Sequence, residues 1–310
     1  MILNAVLILT FLPTTTFATN FPNIPDGWSD GFVYSNGIRI HYYHAVPAPG
    51  KPVILAIHGV MDTGLAWASV ASRLQSDFDV YMLDTRGHGL SDPFTGSENS
   101  STLLTDVMEA AKELGIENPI LMGHSMGGGT VIRLGAEYPD FAKAIIVVDA
   151  GISTPRPQNE GISGNTSPPP SDPMAITMRG TPETLVAQNN YSFDALEGKA
   201  HRENPRWSAM DCEYWAVAIK RYHGPYSNDI WQAMSGTMRN NNALVKIPLP
   251  MIILKADAPP ETREAHQEAA SVMQNGKLVH IDNSAHNLQR DQPERSAEVI
   301  RGFLSEVIPK

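Results

Sequence analysis

The sequence has very little cysteine and no excess of positive charge. Its 310 residues include one cysteine, Cys212, so neither a disulfide within the chain nor a cysteine-based metal site is possible. Lys and Arg number 23 against 33 Asp and Glu, which gives a formal net charge of -10. A protein that binds nucleic acid offers a basic surface to the phosphates, so this composition argues against such a partner. Cys212 lies in a helical pattern and is predicted to be a small core residue.

Long apolar runs are also scarce. After the N-terminus no run reaches the roughly 18 residues of a membrane-spanning helix, so stable membrane insertion is not expected. Residues 1–13 are mostly apolar and are followed by small residues, with Thr16 and Ala18 spaced as a signal peptidase site requires. This pattern predicts a signal peptide over residues 1–18 and entry into the secretory pathway. No Lys or Arg precedes the run, and a buried N-terminal strand is the alternative.

Three sequons support the secretory interpretation only mildly, because such triplets also arise by chance. In a secreted eukaryotic glycoprotein they would be candidate glycan sites, and they begin at Asn99, Asn165 and Asn190.

Short runs rich in Val, Ile and Leu alternate with helical patterns along most of the chain. The runs predict buried strands at 52–59, 79–87, 119–125, 143–151, 250–257 and 277–282. The patterns between them predict helices at 65–75, 101–115 and 261–275, a helix that begins in the glycines after residue 125, and a last helix that ends near residue 307. Such alternation is typical of an α/β fold with a mainly parallel sheet covered on both faces. Asn36-Gly37, between two further strand-like runs, predicts an antiparallel hairpin at the start.

Residues 153–243 interrupt this alternation. They begin with a loop rich in Pro, Gly, Ser and Asn (154–173) and continue with a helical pattern at 206–223, with a further short helix possible at 228–234. The pattern predicts a mostly helical insertion over the sheet. The predicted division is a core domain at 19–152, a cap at 153–245, and the remainder of the core at 246–310.

The segment GHSMGGG (123–129) places Ser125 directly after a predicted strand and directly before a predicted helix. This strand–turn–helix setting is that of a nucleophile elbow, in which the serine is strained and its neighbours must be small. The alternative is a glycine-rich turn that cradles a phosphate. However, no Walker lysine follows the glycines and no G-x-G-x-x-G is present. Ser125 is therefore the candidate nucleophile.

A serine nucleophile needs a base, and the base needs a carboxylate to orient it. His286 follows the strand at 277–282 and a short loop, which places it at the carboxyl edge of the sheet. The acid should lie between Ser125 and His286 in the chain. Asp257, at the end of one strand, is the first choice, and Asp149, at the end of another, is the alternative.

The same chemistry needs N–H donors for the negative charge that develops on the substrate oxygen. One predicted donor is the backbone N–H of Met126, in the first turn after the serine. The second is predicted in HGVMD, from Val60 or alternatively Met61.

Four features in this order resemble the α/β-hydrolase fold superfamily: HGVMDTG (58–64), DTRGHGLSD (84–92), GHSMGGG (123–129) and the pair Asp257/His286. The resemblance covers nearly the whole chain from residue 31, and the insertion matches the cap domain of that superfamily. It implies that Ser125 is the nucleophile, His286 the general base and then acid, and Asp257 the orienting carboxylate, with no cofactor or metal.

Two further expectations come from this resemblance. Residues 84–92 match a segment whose usual role in the superfamily is structural. The chain also departs from the pattern, since members often carry glycine near the acid and before the base, where this chain has Lys255 and Ala285.

The residue at the nucleophile position separates the reactions of the superfamily. Its epoxide hydrolases and haloalkane dehalogenases carry Asp there, whereas Ser125 implies acyl transfer. The leading prediction is a hydrolase that cleaves a carboxylic ester or lactone of a small, fairly apolar molecule through an acyl-enzyme.

Three alternatives stay open. One is a C–C bond hydrolase. Another is an epoxide or polyketide hydrolase or cyclase that uses Asp62, Asp149 or Asp257 together with cap tyrosines. The third is a non-catalytic small-molecule receptor.

Aromatic residues of the predicted cap have two interpretations. They could wall the substrate pocket, or they could pack the cap against the core. The residues are Trp207, Tyr214, Trp215 and Tyr222. The sequence does not predict the oligomeric state.

Overall fold

Eight strands form one sheet in the computed structural model, which describes residues 23–152, 190–223 and 243–308. The strands are β1 (Ser29–Ser35), β2 (Ile38–His44), β3 (Val53–Ile57), β4 (Asp79–Leu83), β5 (Ile120–His124), β6 (Ala144–Val148), β7 (Met251–Ala256) and β8 (Gly276–Ile281). Their order is β1-β2-β4-β3-β5-β6-β7-β8. β2 is antiparallel to both β1 and β4, and all the other pairs are parallel. The predicted α/β fold with a mainly parallel sheet is confirmed.

The predicted hairpin joins β1 and β2. Asn36 and Gly37 have φ values of 46° and 80°. Two consecutive residues with positive φ make a type I′ turn, whose twist matches that of the flanking strands. This turn fixes the register in which Ser35 faces Ile38.

Helices cover both faces of the sheet. The core helices are α1 (Ala68–Leu74), α2 (Thr102–Glu113), α3 (Met126–Glu137), α6 (Pro260–Ala270), α7 (Leu288–Asp291) and α8 (Pro293–Val307). α1 and α8 pack on one face of the sheet, and α2, α3 and α6 pack on the other. The central strands β5 and β6 are buried along their whole length. That burial accounts for their continuous apolar sequences, which do not alternate with polar residues.

Two helices of the predicted cap lie in the described residues, α4 (Phe193–Glu203) and α5 (Ala209–Lys220). Each begins at a serine: Ser192 Oγ accepts the N–H of Ala195 and Ser208 Oγ accepts the N–H of Asp211, which caps the first helical turn. The predicted loop at 154–173 and short helix at 228–234 lie outside the described residues. The domain boundaries at 153 and 245 stay predictions.

Cys212 is fully buried in α5, as predicted. Burial raises the pKa of its thiol to about 11.

The predicted signal peptide also lies outside the described residues, so the secretory location stays a prediction. Among the residues that the structure does describe, no helix is long and apolar enough to span a membrane. Asn99 and Asn190 are exposed, whereas Asn165 lies outside the described ranges.

Candidate active site

Ser125 occupies a sharp turn between β5 and α3. Its φ of 50° and ψ of -110° lie outside the ordinary regions for a residue with a side chain. Backbone hydrogen bonds hold the turn in place. The Ser125 N–H donates to Val148 O of β6 (3.0 Å), and Ser125 O accepts from Gly129 N of α3 (2.9 Å). A strained serine held by surrounding hydrogen bonds is the arrangement that the elbow prediction requires.

The glycines around Ser125 allow β5 and α3 to cross at very short distance. A Cβ atom on Gly127 would collide with the carbonyl of Ile57 in β3, and one on Gly123 would collide with the carbonyl of Gly127. Neither obstacle is a flexible side chain that could move aside. These two glycines are therefore required by the close approach of backbone segments.

His286 is paired with Asp149, not with Asp257. The distance from His286 Nδ1 to Asp149 Oδ2 is 2.7 Å. The prediction that Asp257 orients the histidine is wrong, and the alternative is the one that fits. β6 adjoins β5 in the sheet, whereas β7 is one strand further from Ser125.

Asp257 is held on the surface beside other charged groups. Its carboxylate accepts hydrogen bonds from Arg263 Nη2 (2.6 Å) and from the backbone N–H of Asn283 (2.9 Å). These two interactions, the one from Asn283 first, lower the pKa of Asp257. The carboxylate is therefore engaged in an exposed ion-pair cluster together with Asp282.

Asp149 has a partner on each carboxylate oxygen. Oδ2 faces His286, while Oδ1 lies 2.7 Å from Lys255 Nζ and 3.2 Å from the backbone N of Ala256. Its φ of 44° is a second strained backbone position at the carboxyl edge of the sheet. Burial raises the pKa of Asp149, but the hydrogen bond with His286 and the charge of Lys255 outweigh burial and hold that pKa well below its ordinary value. The carboxylate is therefore ionised at neutral pH.

His124, the last residue of β5, lies beneath His286. Its Nε2 is 2.9 Å from His286 O, and the two ring centroids are 4.7 Å apart. Burial, followed by the neighbouring His286, lowers the pKa of His124 well below its ordinary value. His124 is therefore neutral, and its Nε2–H donates to the carbonyl that precedes Asn287.

The loop predicted to supply the second N–H donor forms a tight turn after β3. The N–H of Asp62 donates to Gly59 O (3.3 Å), and Met61, in the middle of the turn, has a φ of 63°. Val60 and Met61 both line the cavity above Ser125. The carboxylate of Asp62 forms two hydrogen bonds with buried Arg290 of α7 (2.7 and 2.8 Å), which ties this loop to the segment that carries His286.

A cavity of about 390 Å³ brings these groups together. Ser125, His124 and His286 line its floor, and residues 59–62 line one side. In the described part of the chain, Ser125 Oγ forms no hydrogen bond with His286, although both line the same space. Such bonds are often long in the absence of substrate and shorten when it binds. From the predicted cap, the lining includes Tyr191, Leu196, Lys199, Glu203, Trp215 and Ile219.

One of the four predicted cap aromatics, Trp215, lines this cavity. For the other three, which are buried, the alternative interpretation of packing between the predicted cap and the core is the one that fits. Trp207 lies over the Arg290 guanidinium at 4.8 Å, and the Tyr214 hydroxyl donates to Asn23 O (2.7 Å). Tyr222 packs against His88, with ring centroids 5.0 Å apart.

Residues 84–92 form a structural support, as the resemblance implies. Asp84 is fully buried and accepts hydrogen bonds from the backbone N–H groups of Gly64 (2.7 Å) and Leu90 (3.0 Å). Burial lowers the pKa of His88 to about 3, so its ring is neutral. None of these side chains lines the cavity described above.

The sequence did not reveal three features of this site. Lys255 was noted as a departure from the superfamily pattern, and its position inside a buried apolar strand was a usable signal for a buried charge partner. The pairing of Asp62 with Arg290 had no such signal, because 228 positions separate the two residues. The residues of α4 that line the cavity, such as Leu196, had no signal either, because their position depends on how the predicted cap packs on the core.

Known proteins are similar to this chain in sequence. The model of the Alpha/beta hydrolase family matches residues 53–299. Epoxide hydrolase 1 of Caenorhabditis elegans is 23% identical over 300 residues, which cover 92% of this chain and 72% of that protein. N-formylmaleamate deformylase of Pseudomonas putida is 35% identical over 126 residues, or 40% of this chain and 46% of the deformylase.

A solved structure shares the fold as well. The crystal structure of a carboxylesterase from Bacillus subtilis superimposes with a TM-score of 0.64 at 16% identity, covering 92% of this chain and 94% of the esterase. Since the family model spans most of the chain and the sheet order and elbow agree with it, the chain belongs to the alpha/beta hydrolase family and is a hydrolase.

Proposed function

We propose that this hydrolase cleaves a carboxylic ester or lactone of a small, fairly apolar molecule through an acyl-enzyme on Ser125. The observation that carries the proposal is the meeting of three groups at adjacent strand ends. Ser125 is on a strained turn, His286 lines the same cavity, and Asp149 lies 2.7 Å from the far nitrogen of the imidazole. This is the arrangement that activates a serine hydroxyl.

The proposed reaction has two halves. His286 Nε2 accepts the proton of Ser125 Oγ as the oxygen attacks the carbonyl carbon, and it then protonates the leaving alcohol. Asp149 accepts a hydrogen bond from Nδ1–H of His286. This bond keeps the tautomer in which Nε2 is free to accept a proton, and it stabilises the imidazolium. A water molecule, activated by the same histidine, then hydrolyses the acyl-enzyme and restores Ser125.

Two backbone N–H groups are proposed to stabilise the tetrahedral oxyanion. Met126 is the first residue of α3, where the N–H has no partner within the helix. Val60, or Met61 beside it, is the second donor, from the turn fixed by Asp62. Donors held in place before the reaction are worth roughly a hundredfold or more in rate each.

The cavity supports a small substrate with an apolar portion. The cap side offers Leu196, Trp215 and Ile219, whereas Lys199 and Glu203 form an exposed ion pair with each other. The buried carboxylate of Asp62 is neutralised by Arg290. An uncharged acyl group would therefore meet mainly apolar surface next to Ser125.

Epoxide hydrolysis is a second candidate because similar proteins include Epoxide hydrolase 1. That reaction would need a carboxylate at the nucleophile position, where this chain has Ser125. The nearby carboxylates of Asp62 and Asp149 are both held in ion pairs. These contacts favour the acyl-enzyme over direct attack by an aspartate.

A fluorophosphonate probe tests the proposal. We expect the probe to label Ser125, as located by peptide mapping, and the protein to hydrolyse short p-nitrophenyl esters. Both properties should be lost in Ser125→Ala. An unlabelled protein that still opens an epoxide would overturn the proposal. So would one that binds a small molecule tightly without turnover, since that behaviour belongs to a receptor.

A further inference from the structure

Lys255 is a charged residue at the end of an otherwise apolar, buried strand. Five of the six residues of β7 are buried, and the Lys255 side chain is 10% exposed. A lysine is rarely buried to this extent unless it is paired. Its Nζ lies 2.7 Å from Asp149 Oδ1 and 3.2 Å from Ala150 O, so both contacts are to the segment that follows β6.

The register of the sheet fixes this meeting. Val148 of β6 is opposite Leu254 of β7, which places Asp149 beside Lys255 at the same level. The N–H of Asp149 also donates to Leu254 O (2.8 Å). Asp149 therefore leaves the sheet with its backbone and one carboxylate oxygen both fixed by β7, while its second oxygen faces His286.

We propose that Lys255 is a positioning residue of the active site, which fixes the rotamer of Asp149 and offsets part of its negative charge. This inference rests on the proposed function, because it assigns Asp149 and His286 to the serine mechanism. Lys255 does not line the cavity, so it acts through Asp149 and not on the substrate.

The sign of the electrostatic effect follows from the charges. An ionised Asp149 favours a proton on the imidazole, and the cation of Lys255 on its other oxygen weakens that preference. Without Lys255 the full negative charge would act on the imidazole. The acidic limb of the labelling rate, which depends on an unprotonated base, would then lie at higher pH.

Other titratable groups lie around Asp149 and His286, and Lys255→Met leaves their residues in place. His124 of β5 lies against His286, His266 of α6 interacts with Asp149, and the charge of Arg290 of α7 acts on His124. His266 Nδ1 lies 3.1 Å from His280 Nε2 of β8. Burial lowers the pKa of both rings. The charge of Lys255 lowers the pKa of His266 further, and the charge of Arg263 does the same for His280. A variant of His266 is therefore needed to show that the titration of His266 does not set the acidic limb.

The experiment measures the second-order rate constant of fluorophosphonate labelling at Ser125 from about pH 4 to about pH 9. Lys255→Met keeps an unbranched side chain that is one heavy atom shorter, and it removes the charge. We expect the acidic limb of the profile to move up by about one pH unit, and the plateau to fall roughly tenfold as Asp149 loses its fixed rotamer. Lys255→Arg should restore most of the acidic limb. If the methionine variant does not fold, Lys255→Gln is expected to give the same shift.

Lys277→Met is the matched control, because Lys277 lies on the neighbouring strand β8 and pairs at the surface with Glu306. Its profile should equal that of the wild type, and so should that of His266→Gln. The inference is overturned if Lys255→Met leaves the acidic limb at the wild-type pH. It is also overturned if either control variant moves the limb as far as Lys255→Met does. Absence of labelling in the wild type overturns the proposed function instead, so the two failures are distinguishable.

Discussion

Asp149 and Asp257 each follow a buried parallel strand closely, yet the sheet gives them different surroundings. The side chain of Asp149 is 11% exposed and lies between His286 and Lys255, whereas that of Asp257 is 40% exposed and faces Arg263. Both carboxylates carry a depressed pKa, one through a buried network and the other through surface contacts. A position at a strand end therefore places a carboxylate at the active edge without deciding whether it reaches the base.

The largest expected effect comes from Asp149→Asn, which keeps the shape of the side chain and removes its charge. The imidazole would lose the acceptor that holds its tautomer, and kcat is expected to fall by about three to four orders of magnitude. Hydrolysis of p-nitrophenyl acetate by the purified variant measures this loss. A variant within about tenfold of the wild type would mean that Asp149 is not the acid.

The pH dependence of the unfolding free energy tests whether the buried network around Asp149 stabilises the fold. Because the pKa of Asp149 is lower in the folded state, its ionisation stabilises the fold above the unfolded pKa of about 4, and this contribution disappears as the pH falls through the folded value. At pH 7 the wild type should exceed Asp149→Asn by about 2 kcal/mol in unfolding free energy. The difference should shrink below about pH 4 in urea titrations. A difference that stays constant with pH would contradict the buried network.

The smallest effect is expected from Asp257→Asn, which is the matched control for both experiments. Its carboxylate is exposed, so screening by water limits the contribution of its ion pair with Arg263. We expect kcat/KM within about twofold of the wild type. A loss comparable to that of Asp149→Asn would reverse the assignment of the two residues.

Much of the fold was accessible from the sequence because each signal was local. The hairpin at Asn36-Gly37, the end of α2 just before Gly115 with its φ of 67°, and the elbow at Ser125 depend on residues adjacent in the chain. The order of nucleophile, acid and histidine, together with a position at the end of a predicted strand, also limited the acid to two candidates.

Two features depended on packing between distant segments. Asp149 and Asp257 satisfy the same order along the chain, and only the position of β6 beside β5 brings the first of them to His286. The aromatic residues of the predicted cap likewise did not show which of them would pack against the core and which would line the pocket. Tyr214 turned out to contact the core, whereas Trp215 lines the cavity.

The burial of Cys212 makes the folded chain a convenient substrate for site-specific labelling. Its thiol is inaccessible and its pKa is raised to about 11, so maleimide dyes should find no native target at neutral pH. A cysteine introduced at exposed His201 on α4 would then carry a single fluorophore. Its emission would report movements of the cap during ligand binding, with no need to remove the native thiol first.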